Sequence, residues 1–245
     1  MSKFYIISLD PAQLHDYSAL AVLECSLDNN NNNIYRLVSL NRKQRLPYTD
    51  IVAWSKKVFE NPKFQQGFQQ DITSPPVFIL DVCGVGRAIA DMLTAAGVKS
   101  IGIQLTGGET ATRDGDTWRV SKSFVVGKFL GAWDEGRVLM PSKASFLNLF
   151  RTELLAFRGE MSSQGRARFE AAQGEHDDLI MAVAQAVWWA ESRPKPQPLI
   201  VIPQIPPEDL VVPRWQMGGG GRLVCRSRQA PFTLIMVPSK RQPII

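Results

Sequence analysis

The stretch Glu175-His176-Asp177-Asp178 followed by Leu179-Ile180-Met181-Ala182 constrains this chain most, because it sets adjacent carboxylates at the start of an almost wholly apolar helix. The spacing predicts that helix over Asp177 to Glu191, with Leu179, Ile180, Met181, Val183, Val187, Trp188 and Trp189 leaving little polar face for solvent. Such a helix has to be covered by other elements. Its first turn then lies against packed structure, where a charge needs a partner or a cation. A second reading stays open, since acidic residues suit any helix N-terminus through the macrodipole and the free backbone N–H groups.

The elements that would cover it come earlier. Phe4 to Leu9 is an apolar run that reads as a buried strand and stops at Asp10-Pro11. Ala19 to Cys25 and Ile34 to Leu40 follow through short connections, so the first three strands are expected as an antiparallel meander. The polar run Asn29 to Asn33 is a loop tip. Ile51, Trp54, Val58 and Phe59 fall at helical spacing between Tyr48 and Glu60. Val77 to Val82 then reads as a fully buried strand, Arg87 to Ala96 as a helix stopped by Gly97, and Ser100 to Leu105 as a further strand, a right-handed parallel crossover. The fold class is therefore α/β, with a mixed five-stranded sheet of three antiparallel strands followed by parallel ones, flanked by helices. Leu105 to Asp116 is expected as a long Gly/Thr/Asp-rich loop, Ser121 as the cap of a helix to Glu135, Val138 to Met140 as a short edge strand, and Ala144 to Phe157 as another helix. Gly159 to Gly174 is expected to be mostly loop, with an extended piece at Arg166 to Ala171.

Composition sets the remaining bounds. A chain of 245 residues holds one sizeable domain with appendages. Residues 1–191 carry 20 Lys and Arg against 21 Asp and Glu, whereas 192–245 carry 8 against 2 and are rich in Pro and Gly. The organisation expected is a domain over 1–191 and a basic arm over 192–245, within which Leu199 to Ile202 and Thr233 to Val237 are β-like. Charge in such an arm is compatible with nucleic acid and equally with a soluble linker. Cys25, Cys83 and Cys225 show no paired spacing, which fits a reducing, cytoplasmic setting. There is no apolar run of about 18 residues and no signal-peptide pattern, so no membrane is expected as a partner.

Three features carry chemistry. Asp10 and Asp81 each end a central strand, and Asp177 and Asp178 open the last helix. If the first and fourth strands are parallel neighbours, both strand-end aspartates emerge at one end of the sheet, where the helix can bring a third carboxylate beside them. Like charges in a buried corner are forced to protonate unless cations neutralise them. Hard oxygen ligands suit Mg²⁺ or Mn²⁺, and two such ions about 3.5–4 Å apart can activate water and stabilise the leaving oxygen of a phosphodiester. Asp10, before Pro11, is also a plausible turn residue. Gly84-Val85-Gly86 has Ile89 where a dinucleotide fingerprint needs its third glycine, and it reads better as a tight turn, so no nucleotide cofactor is expected.

The set Leu9-Asp10-Pro11-Ala12 with Asp16-Tyr17-Ser18-Ala19, then Leu80 to Gly86, then Trp118-Arg119-Val120-Ser121-Lys122, then His176 to Ala182, resembles the nuclease domain of phage terminase large subunits, in order over about residues 4–190. The resemblance implies a ribonuclease H-like fold related to the RuvC resolvases, and two-metal cutting of double-stranded viral DNA during genome packaging. It implies Asp10 and Asp81 as metal ligands, Asp178 as the third, Asp177 as a neighbour sharing the role or hydrogen-bonding nearby, and Glu175 as an outer ligand. By the same resemblance Lys122 contacts the scissile phosphate or orients water; a solvated first-turn lysine is the alternative. His176 is a candidate proton shuttle or a cap-region residue. Arg87, Arg113, Trp118 and Arg119 are candidates to line the DNA path. The implied partners are a terminase ATPase, a small subunit and a portal. No Gly-x-x-x-x-Gly-Lys-Ser/Thr occurs, so the expectation is an isolated nuclease domain, a truncated product or a stand-alone relative, without ATP hydrolysis. A junction resolvase and a non-catalytic assembly module with a vestigial site are the alternative functions.

Overall fold

The computed structural model describes residues 3–13, 16–65, 75–107, 110–141, 146–161, 167–171, 176–193, 214–218 and 222–226. By contacts the chain divides into two units, Met1–Lys195 and Pro196–Ile245. The first is built on one mixed sheet. At its centre lies β1 (Phe4–Asp10), buried from Tyr5 through Leu9 because its apolar run serves both faces. β2 (Tyr17–Leu27) pairs with it antiparallel, and β3 (Asn33–Gln44) pairs antiparallel with β2. On the other side β4 (Val77–Asp81) runs parallel to β1, and β5 (Ser100–Thr106) parallel to β4. These are the five strands expected from the apolar runs.

The sheet is nevertheless eight strands wide. Within the segment expected as a loop, β6 (Ala111–Asp114) forms a hairpin with β7 (Thr117–Ser121), and β7 adds parallel to β5. All of β6 is exposed, so its sequence carries no apolar alternation to betray a strand. At the opposite edge β8 (Val138–Leu139) pairs parallel with β3, as expected. The order is β6-β7-β5-β4-β1-β2-β3-β8.

Alternation along the strands decides what each face holds. Tyr5, Ile7, Leu9, Phe78 and Leu80 pack with Ile51 and Val52 of α1 (Tyr48–Phe59) and with Ile89 and Leu93 of α2 (Gly86–Ala95). Ile6, Ile79, Ala19, Ala21 and Leu40 pack on the other face, with α3 (Lys122–Asp134) and α5 (Asp178–Glu191). Every residue of α5 from Leu179 to Ala190 is buried, which explains its lack of a polar face. Between them in sequence are α4 (Leu147–Ala156) and a separate hairpin of β9 (Phe157–Met161) with β10 (Ala167–Ala171). β10 matches the expected extended piece. β9 was expected as helix end and loop, since neither Gly nor Pro marks the change at Ala156-Phe157.

In the second unit β11 (Arg214–Gly218) and β12 (Arg222–Arg226) form an antiparallel hairpin. The β-like stretches Leu199 to Ile202 and Thr233 to Val237 lie outside the described residues.

Gly84 and Gly86 make the tight turn that follows β4. Gly84 has φ +51°, and a Cβ on Gly86 would stand 1.9 Å from the Asp81 carbonyl oxygen. Gly84 thus serves the positive φ and Gly86 the close backbone approach, as the turn reading expects. Gly86→Ala is expected to destabilise the protein by about 1–3 kcal/mol, measured by urea unfolding, because the contact is with backbone and cannot be relieved by a side-chain rotation.

Candidate active site at the strand ends

Asp10 and Asp81 each stand one residue beyond the registered pair Leu9↔Leu80 of the parallel strands β1 and β4. Period-two alternation from Ile6 and Ile79 puts both on the α5 face of the sheet. The same alternation places Tyr17 of β2 and Arg42 of β3 on that face, and the register Asp10↔Ala19↔Arg42 carries the row across three strands. α5 opens opposite this row.

Each carboxylate has its own surroundings. Asp81 is buried; its Oδ1 accepts from the Cys83 N–H at 2.7 Å and its Oδ2 from Gln185 Nε2 of α5 at 3.1 Å. Burial still pushes its pKa upward against those hydrogen bonds. Asp10 is pushed well above the ordinary carboxylate value, first by burial and then by the charges of Asp81, Asp178 and Asp177, with Lys122 opposing. Asp178 rises to about 6, chiefly by burial, with His176 pulling it down and Asp177 pushing it up. Its Oδ2 is buried and has no hydrogen-bond partner among the described residues; His176 Nδ1 stands 3.7 Å from it.

Asp177 occupies the N-cap position of α5, and its side chain makes no capping hydrogen bond. Lys122 Nζ, from the first turn of α3, donates to Asp177 Oδ2 at 2.7 Å. Lys122 itself follows Ser121, whose Oγ accepts from the Phe124 N–H as the expected cap. The cap of α5 comes instead from α4, where Glu153 Oε2 accepts from the Leu179 N–H at 3.0 Å and Oε1 takes Arg42 at 2.6 Å. Glu175 lies outside the described residues.

Sequence reasoning missed three of these side chains. Gln185 left a signal, being the one polar residue between Leu179 and Ala190. Glu153 and Arg42 left none, because their partnership spans 111 positions. Of the candidates for a DNA path, Trp118 packs inward, edge-on to Trp188 at 5.7 Å, with the Arg113 guanidinium 5.5 Å over its ring. Arg87 donates to Gln104 and Arg119 is exposed.

Carboxylate oxygens are the donors that Mg²⁺ and Mn²⁺ prefer, and the buried Asp178 Oδ2, without a hydrogen-bond partner among the described residues, fits such an ion. Among the described residues no three His, Cys, Asp or Glu side chains are already gathered to hold one. Asp81 and Asp177 are engaged by Cys83, Gln185 and Lys122.

No protein-family model and no curated protein matches the chain. Solved structures do. The large terminase nuclease of thermophilic phage G20c with bound magnesium superimposes with a TM-score of 0.53 at 23% identity, over 76% of this chain and 80% of that one. The same nuclease with bound cobalt gives 0.52 at 23% identity over the same shares, and the Thermus phage P74-26 large terminase nuclease domain gives 0.51 at 22%, over 75% and 78%. The chain has the large-terminase nuclease fold. This is the fold that the motif order from Asp10 to Ala182 implied. Within the large-terminase nuclease fold described here, the acidic row stands at the ends of the two central parallel strands.

The raised carboxylates give the site a pH signature. An acid whose pKa is raised on folding holds its extra proton between the unfolded and folded values, so stability is lost as pH climbs through that window, for Asp178 from 3.8 to about 6. The expected result is a metal-free Tm that falls between pH 4 and pH 7. Added Mn²⁺ should raise Tm more at pH 7 than at pH 4.

Proposed function

We propose that this protein is a metal-dependent DNA endonuclease of viral genome packaging, working by two-metal phosphodiester hydrolysis on a ribonuclease H-like, RuvC-related core. The observation that carries the reading is the buried Asp178 Oδ2, without a hydrogen-bond partner among the described residues, in a site where Asp10 feels the charges of Asp81, Asp178 and Asp177. The fold of the G20c and P74-26 nucleases supports it, and the G20c nuclease has been seen with magnesium and with cobalt bound. Fold alone does not carry an activity, so the acidic row has to.

In this reading Asp10, Asp81 and Asp178 hold two Mg²⁺ or Mn²⁺ ions. Asp177 shares the role or keeps Lys122 beside the site. Ions held there would supply positive charge for the leaving oxygen and make a water molecule more acidic. The chain's own contribution is placement. Gln185 and the Cys83 N–H orient the Asp81 carboxylate, and Lys122 offers its ammonium group to a backbone phosphate. Double-stranded DNA is the substrate, and a terminase ATPase, small subunit and portal are the proposed partners. No helix among the described residues is long and apolar enough to cross a membrane, and a phage or prophage protein of this kind acts in the host cytoplasm.

The test is plasmid cleavage with Mn²⁺. Nicked or linear product is expected from the wild type. Asp81→Ala should cut more than about a hundredfold more slowly, beyond the usual effect of residues that only support a ligand. An Asp81→Ala protein that cuts as fast as wild type removes the site assignment, and a preference for four-way junctions over plain duplex points to a resolvase.

A further inference from the structure

We propose that Glu153 and Arg42 are positioning residues for Asp178: reaching in from α4 and β3, they anchor the first turn of α5 so that the Asp178 carboxylate, whose Oδ2 has no hydrogen-bond partner among the described residues, is not spent on capping. The proposal rests on the reading of Asp178 as a metal ligand.

The first turn of a helix leaves backbone N–H groups unpaired, and an N-cap side chain normally accepts from one of them. Asp177 holds the N-cap position of α5 and does not do this; its Oδ2 is drawn away by Lys122. Had Asp177 or Asp178 capped the helix, that carboxylate would be committed to backbone. The requirement is met from outside. Glu153, only 3% exposed, accepts from the Leu179 N–H at 3.0 Å. Its other oxygen takes Arg42, so both Glu153 oxygens are engaged.

Arg42 is fixed in turn. Its guanidinium lies 4.1 Å over the ring of Tyr17, and Tyr17 meets His176 edge-on at 5.0 Å. His176 and Leu179 flank the carboxylate in sequence, so the contacts grip the chain on both sides of Asp178. Stability alone does not account for an ion pair here. Apolar residues of similar volume usually serve a buried interface as well or better. A pair that ends on the Leu179 N–H specifies the position of the helix end.

The experiment uses the full chain and Mn²⁺ alone, with calorimetric titration, thermal unfolding and amide exchange at Leu179. Asp178→Ala should abolish Mn²⁺ binding. Glu153→Ala should weaken it by about tenfold or more and speed Leu179 exchange. Glu153→Gln, which keeps an oxygen for the Leu179 N–H, should recover most of both. Should Glu153→Ala fail to fold, the double variant Arg42→Met/Glu153→Leu removes the charge together with its partner, and it should fold and bind Mn²⁺ weakly. Wild-type Mn²⁺ affinity in a folded Glu153→Ala or double variant overturns the proposal when Asp178→Ala has lost binding. A Leu179 amide that exchanges freely in the wild type overturns it without any variant. Wild-type affinity in Asp178→Ala overturns the ligand reading instead.

Discussion

A carboxylate held against apolar packing stays ionised only if something beside it donates hydrogen bonds or carries positive charge, and this structure sets several such groups around one corner. Asp10, Asp81 and Asp178 are all pushed upward by burial. The described protein groups relieve them unequally. Asp81 has two donors, Asp177 has Lys122, and Asp178 keeps one oxygen with no hydrogen-bond partner. The rest of the first unit can be understood as what holds that corner in place. The parallel pairing of β1 with β4 aligns the strand ends, the Gly84 to Gly86 turn lets α2 start directly behind Asp81, and the apolar body of α5 fixes the height of Asp178 above the sheet.

Much of this was legible in the residues. Five strands announced themselves as short apolar runs bounded by turn residues, α1 by apolar positions at helical spacing, and α3 by its Ser121 cap. β6 and β9 were not legible. The first is exposed along its whole length, and the second begins where α4 stops, without a glycine or proline to mark the boundary. Their presence depends on hydrogen bonding to a neighbour, which side-chain pattern does not record.

The site divides along the same line. Asp10 and Asp81 stood out because a charge closes an otherwise apolar strand. Asp177 and Asp178 stood out equally as a site or as a helix cap, and the ambiguity was genuine, since local sequence contains both requirements. What removes the capping role from Asp177 is Glu153, which accepts from the Leu179 N–H from a distant element, while Asp177 pairs with Lys122. Gln185 was visible as a polar exception within α5. Arg42 was not visible, because its role is defined by Tyr17 on one side and Glu153 on the other.

The central claim is that a divalent cation resolves the electrostatics of this corner. Diffraction from Mn²⁺-soaked crystals, collected at the manganese absorption edge, tests it most directly. The expected result is anomalous density bounded by the carboxylates of Asp10, Asp81 and Asp178. Well-ordered carboxylates with no anomalous density between them, or peaks confined to other surfaces, would contradict it.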